Sequence, residues 1–434
     1  MTNNRVFHVI SFTLLLCIFF VIGEISFLLL KPQKTYSELL ELANDMWTTS
    51  EFHKYELKKN YVCKYPSNEF PGKYVTITTN NLGLRGDHDI TYDKPKNIKR
   101  ILIIGDSYTF GAFVETRKAY PQMLEHIMEK LDSNYEVINA GFGGFNADDI
   151  YVWLRNEGVK FNPDIIIYGF FIGNDLGINR NHWILDGNGL PVMANKNIKL
   201  PKYVDEFGRI RVNVDFIKED DTVGYEYIYK IPLLRESHFF IAAGKLTQKI
   251  YDHFSSKITS SKTYEVPSGL SVATFPQIFG DDAYRFREKY KAYYKIMDQY
   301  VPPLEEREKF FHELVLGMNK IAKDINSDFM VLMIPMNFQV EPEYFLPFYF
   351  KEPGENKEIL NGTISLKRDF FKELSQYLES NNIKYINLLN EMREHSDKYY
   401  PRSREMHFNT KGHEFTANVI YEYLADNKYW YKIN

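Results

Sequence analysis

The sequence predicts an α/β protein. It would hold an open five-stranded parallel sheet with helices on both faces, one large insertion, and a single membrane-spanning helix ahead of it. Three observations carry this. Short apolar, β-branched runs alternate with amphipathic stretches of helical period, the pattern of a parallel sheet covered on both sides. The rhythm breaks between about residues 177 and 303 and then resumes. Residues 6–30 are almost wholly apolar, and about 20 such residues cross a bilayer.

The N-terminal run "VFHVISFTLLLCIFFVIGEISFLLL" is broken by His8 and Glu24. Arg5 and the α-amino group precede it, and Lys31 and Lys34 follow, so flanking charge does not set its orientation. No small-residue cleavage site follows it, and Leu16 stands where a lipobox ending at Cys17 needs a small residue. Residues 1–34 therefore read as an uncleaved anchor with the body periplasmic or extracellular. A cleaved signal and a secreted body are the alternative. Residues 35–98 read as a polar, aromatic, membrane-proximal lead-in. Within it "TITTNNLGLRG" (76–86) predicts a short strand and a Gly-punctuated turn.

The main domain, 99–434, opens with "KRILIIGDSYTFGAFVE". Ile101–Ile104 have the character of a strand buried on both faces, which stops at Gly105-Asp106-Ser107. A helix is predicted over 119–131, with Tyr120, Leu124, Ile127, Met128 and Leu131 on one face. Strand 136–140, helix 147–158 and strand 164–170 follow. The insertion carries an expected strand at 209–216 and helices at 237–254 and 282–299. Beyond it come helix 304–325, striped by Phe311, Leu314, Val315, Met318 and Ile321, then strand 329–335, helix 364–381, strand 384–389 and helix 411–425.

Composition narrows the function. The 434 residues are 44% hydrophobic and 25% charged, which is ordinary for a globular chain. A net charge of −4 gives no support to nucleic-acid binding, which usually shows a basic face. Cys17 and Cys63 are the two cysteines, and no zinc-ligand spacing occurs. No metal or cofactor is implied. The aromatic content, 16%, suits a core, and alternatively a groove that stacks on sugar rings.

Ligands of such sheets bind at the carboxyl ends of the strands, and there the unusual residues collect. Ser107 ends the first strand. "NAGFGGFNADD" (139–149) ends the second, "GFFIGNDLG" (169–177) the third, and "EMHFNTKGHEF" (405–415) follows the fifth. Acyl transfer needs such a set. Serine is a weak nucleophile until a base takes its proton, and histidine suits that task at neutral pH. The oxyanion of the tetrahedral intermediate needs preorganised donors. A glycine N–H and the Asn174 amide can supply them, with His407 as base.

In these blocks the chain resembles the SGNH (GDSL-type) hydrolase superfamily. "GDSYTFG" resembles its first block, with Ser107 as nucleophile. "NAGFGGFNADD" resembles the second, with Gly144 as oxyanion glycine while Gly141 and Gly143 serve the turn. "GND" (173–175) is similar to the third, with Asn174 as oxyanion amide, and "HFNTKGH" (407–413) to the last, with His407 as base. The lead-in "NNLGLRG" followed by "RILIIGDSYTFG" resembles the membrane-anchored bacterial branch. The resemblance covers about 76–175 and 304–425. It implies a flavodoxin-like three-layer α/β/α sandwich and metal-free ester hydrolysis or acyl transfer.

Two positions depart from that pattern. Ile172 stands where a glycine is usual, with Gly173 beside it. Arg404 stands where the triad's acid is usual. Glu405 is the nearest carboxylate and the expected acid; Asp397 or a backbone carbonyl is the alternative. Asp106 reads as a turn cap and Asp175 as a brace of its loop. His413 reads as part of the last helix, or less readily as the base. The expected protein is a serine esterase or O-acyltransferase acting on an acylated glycan or lipid of the cell envelope, in an acetyl-transfer variant for an exported polysaccharide. The rival is a non-catalytic glycan-binding or scaffold protein on a retained fold.

Overall fold

The structure is a computed structural model. It describes residues 2–33, 46–48, 50–53, 55–70, 73–131, 134–178, 180–195, 202–204, 210–212, 234, 236–258, 304–341, 344, 370–395, 398–402, 406–427 and 429. The chain divides into two compact units, one of residues 1–45 and 205–264, the other of 46–204 and 265–434.

The larger unit holds a five-stranded sheet: β1 (Lys99–Gly105), β2 (Tyr135–Gly141), β3 (Ile165–Phe171), β4 (Asp328–Ile334) and β5 (Lys384–Asn387). The order is 5-4-3-1-2 and every pairing is parallel. That is the flavodoxin-like order, with its switch point between β1 and β3. Ile101–Ile104, Ile166 and Ile167 are fully buried, and each such aliphatic side chain contributes about 1.5–3 kcal/mol.

Helices α2 (Ser107–Phe110), α3 (Tyr120–Leu131), α4 (Ala147–Asn156), α6 (Leu304–Asp324), α7 (Phe370–Ser380), α8 (Leu388–Glu394) and α9 (Thr410–Asp426) cover the sheet. The pairs α3–α9 and α4–α6 pack against each other. The predicted fifth strand ran to residue 389, but β5 ends at Asn387. Asn387 caps α8, its side chain accepting from the Leu389 N–H at 3.1 Å. That cap ends the strand two residues early.

The lead-in carries two antiparallel pairs, one of which includes the start of the short strand expected at 76–86. Trp47–Thr48 pairs with Glu56–Leu57, and Val62–Pro66 with Tyr74–Thr78. Of the predicted strand 209–216, Ile210–Val212 is a strand and the rest lies outside the described residues. The predicted helix 282–299 and residues 364–369 of the predicted helix 364–381 lie outside them too.

The smaller unit contains α1 (Thr2–Leu30) and α5 (His238–Ile258). Ile10–Leu30 is long and apolar enough to cross a membrane, with a mean hydropathy of 2.6 and none of it buried. By length and composition it is a candidate membrane span or signal sequence.

Candidate active site

The site begins with three glycines. Gly105 lies in register with Gly141 on one side and Gly169 on the other. A row without Cβ atoms thus crosses the ends of three strands, and α2 rests on it. A Cβ on Gly105 would lie 2.0 Å from Thr109 Oγ1, one on Gly169 2.6 Å from the same atom, and one on Gly141 2.0 Å from the Phe110 N. Thr109 Oγ1 is hydrogen-bonded to the Tyr120 hydroxyl at 2.8 Å, which holds α2 down on the patch.

Asp106 caps α2, accepting from the Tyr108 N–H at 2.9 Å, and Gly111 ends the helix at φ 75°. Ser107 is the first helical residue, so its N–H has no intrahelical acceptor. Asp106 is fully buried and its carboxyl is pushed up to about 6 by that burial. The Tyr108 N–H, His407 and the Asn174 amide act against that rise.

His407 meets the nucleophile. Its Nε2 is 2.8 Å from Ser107 Oγ, although the two are 300 residues apart. The segment that carries it is fixed from several sides. Asn409 caps α9, accepting from the Gly412 N–H at 2.9 Å, and donates its own N–H to the Tyr399 carbonyl at 3.0 Å. The Tyr108 hydroxyl donates to the Met406 carbonyl. From the lead-in, Asn68 Nδ2 donates to the Phe408 carbonyl at 3.3 Å and Glu69 accepts the Thr410 N–H. The His407 ring lies between those of Tyr108 and Phe113, each 5.1 Å away.

The glycine-rich loop and the third loop are tied together. Gly144 takes φ 78°, a left-handed backbone that favours glycine. Asn174 Nδ2 donates to the Phe145 carbonyl at 3.0 Å, and Asn146 Nδ2 to the Gly177 carbonyl at 2.8 Å. Asp175 is buried and braces its turn, accepting the Phe171 N–H at 2.7 Å. Burial and the neighbouring Asp106 raise its carboxyl well above the usual range. At the departing position, Ile172 is fully buried, and a Cβ on Gly173 would lie 2.1 Å from the Phe171 ring. Ser107, Gly144, Asn174 and His407 are each partly exposed, while Asp106, Tyr108, Phe145, Asp175, Met406 and Phe408 beside them are buried.

His413 is buried inside α9, where its Nδ1 accepts the Tyr120 N–H at 3.3 Å, and burial drops its ring to about 3. It serves packing. Arg404, Glu405 and Asp397 lie outside the described residues. Among the described residues no group of three or more His, Cys, Asp or Glu is placed to hold a metal ion.

Four contributors escaped the sequence reading. Tyr108 positions the histidine segment; the aromatic directly after "GDS" was its signal. Asn68 and Glu69 sit in a tract that gave none. Arg85 of "LGLRG" is fully buried and donates to the Gly111 and Val114 carbonyls at 2.9 and 2.6 Å. It thereby grips both sides of Phe113, which is held at φ 70° against His407. A bulky residue in that conformation costs about 1–3 kcal/mol and marks a constrained place.

No protein-family model matches the chain, and no curated protein matches it. Solved structures do. The chain is similar to a lipase/acylhydrolase of Enterococcus faecalis at 12% identity, covering 76% of this chain and 97% of that one, with a TM-score of 0.31. It is similar to a GDSL-like lipase of Bacteroides thetaiotaomicron at 11% identity, covering 78% and 93%, TM-score 0.30. An acetyl xylan esterase matches at 12% identity, covering 75% and 98%, TM-score 0.31.

Proposed function

We propose that this chain is a serine carboxylic ester hydrolase or O-acyltransferase acting on an acylated glycan or lipid of the cell envelope. The observation that carries the reading is the 2.8 Å contact between Ser107 Oγ and His407 Nε2 at the carboxyl edge of the sheet. Ser107 Oγ attacks the ester carbonyl while His407 Nε2 takes its proton, then returns it to the leaving alcohol. The N–H groups of Ser107 and Gly144 and the Asn174 amide receive the oxyanion. Glu405 orients the His407 ring through Nδ1, with Asp397 as the alternative. Water, or a sugar hydroxyl, resolves the acyl-enzyme. In this reading α1 anchors the chain in a membrane, with the larger unit on the periplasmic or extracellular side.

A fluorophosphonate probe and p-nitrophenyl acetate test the chemistry on the full chain. Labelling and turnover are expected, and both are expected to vanish in Ser107→Ala. Glu405→Gln and Asp397→Asn name the acid by which loses more. A wild-type chain that neither labels nor turns over short esters overturns the catalytic reading in favour of a glycan-binding protein.

A further inference from the structure

Glu24 lies within the apolar window Ile10–Leu30. A carboxylate in hydrocarbon is costly unless partnered. Its oxygens accept from Ser237 Oγ at 2.6 Å, the His238 N–H at 2.8 Å and the Phe239 N–H at 2.9 Å. Those backbone donors belong to the first turn of α5, where no intrahelical acceptor exists and the helix dipole favours an anion. Each feature answers the other's unmet need.

Hydrogen bonds of this length bring the start of α5 to the Glu24 side chain, whose Cα lies six residues, about 9 Å along the helix, before the end of the span at Leu30. The Gln33 N–H donates to His238 Nδ1 at 2.9 Å, so the same turn also meets the chain that follows the span. The packing agrees. A Cβ on Gly23 would lie 2.6 Å from the Phe239 ring, so the glycine makes room for it. Phe239 packs edge-on against Phe19, Phe20 and Phe27, and Phe240 lies 5.1 Å from Phe20. "FFIAAG" (239–244) carries no charge. The first cation, Lys245, donates to Gln33 Oε1 at 2.9 Å, just beyond the span. Leu246 and Ile250, one turn apart, are 60% and 48% exposed.

We propose that the first two turns of α5 are set into the lipid bilayer beside α1, pinned there by Glu24, so that the chain holds its membrane by two helices. This rests on the reading of α1 as a membrane span. The partner is the bilayer itself, reached through Phe239 and Phe240.

The test uses the full chain, with Cys17→Ser and Cys63→Ala, in phosphatidylcholine vesicles. Nitroxide labels go on Leu15→Cys in α1, on Ala242→Cys and Ala243→Cys in α5, and on Lys320→Cys as an exposed reference. Collision with oxygen reports lipid, and collision with a water-soluble nickel chelate reports water. The α5 labels are expected to match Leu15 and differ from Lys320, and to move to the Lys320 value when Glu24→Ala is added. If Leu15 reports lipid while both α5 labels report water, the proposal fails and the anchor stands. If Leu15 also reports water, the anchor reading fails and the proposal with it. If Glu24→Ala leaves the α5 labels in lipid, Glu24 is not the pin.

Discussion

Gly141→Ala tests how the nucleophile is placed. The new Cβ would lie 2.0 Å from the Phe110 N, 2.5 Å from the Thr109 carbonyl carbon and 2.7 Å from the Phe110 Cα. All three are backbone atoms of α2, so no rotamer change relieves the clash. Real Cβ contacts essentially never fall below 3.0 Å, so α2 must retreat by about 1 Å, and a displacement of that size can cost about 100-fold in rate. Phe110 shares a four-residue helix with Ser107, so Ser107 shifts with it. The overpacking itself costs about 1–3 kcal/mol. The expected outcome is a folded protein with a lower melting temperature, whose kcat on p-nitrophenyl acetate falls about 100-fold. Gly143→Ala is the control, since its Cβ meets only the Trp47 ring at 3.5 Å. A Gly141→Ala variant within a few-fold of the wild-type rate would refute the claim that the glycine row sets the height of α2.

Two further outcomes follow from named contacts. Tyr108→Phe leaves the Met406 carbonyl without the hydroxyl it now accepts from. The loss of that buried hydrogen bond costs about 0.5–1.5 kcal/mol, and steady-state kinetics should show a lower kcat with KM little changed. Glu125 is pushed up to about 7 by burial, while its Oε1 accepts the Val137 N–H at 3.1 Å. Its proton is therefore held more tightly in the folded state, and the stability this gives is full below about 4.5 and lost as pH rises through about 7. Glu125→Gln keeps the acceptor without the charge. It should melt a few degrees above wild type at pH 8 and level with it at pH 4.5, as read by thermal unfolding at both values.

The sheet was legible because its strands are apolar on both faces and its helices amphipathic. Those are local periodicities that burial reinforces, as Ile101–Ile104 show. Ser107, Gly144 and Asn174 were expected together because each follows the end of a parallel strand, and parallel strands deliver their ends to one edge; His407, twenty residues past β5 and just ahead of α9, was expected from the last block of the resemblance. The end of β5 was misjudged because "KYINLL" continues an apolar run, while the Asn387 cap that stops it acts through a side-chain hydrogen bond. The role of two lead-in residues was invisible for a related reason. Asn68 and Glu69 look like ordinary loop residues until the chain returns 340 residues later to place Phe408 and Thr410 against them.

What the sequence determined alone is therefore the order of the strands' chemistry and the residue types at their ends, since both follow from near-neighbour pattern. What only the tertiary structure decided is which distant groups hold that chemistry still. Arg85 became the clamp of the Phe113 loop, Tyr108 the tie to Met406, and three glycines on three strands one flat seat for α2. Each of these depends on sheet register or on burial of a polar group far from its partner in the chain, and neither is encoded in any local run of residues.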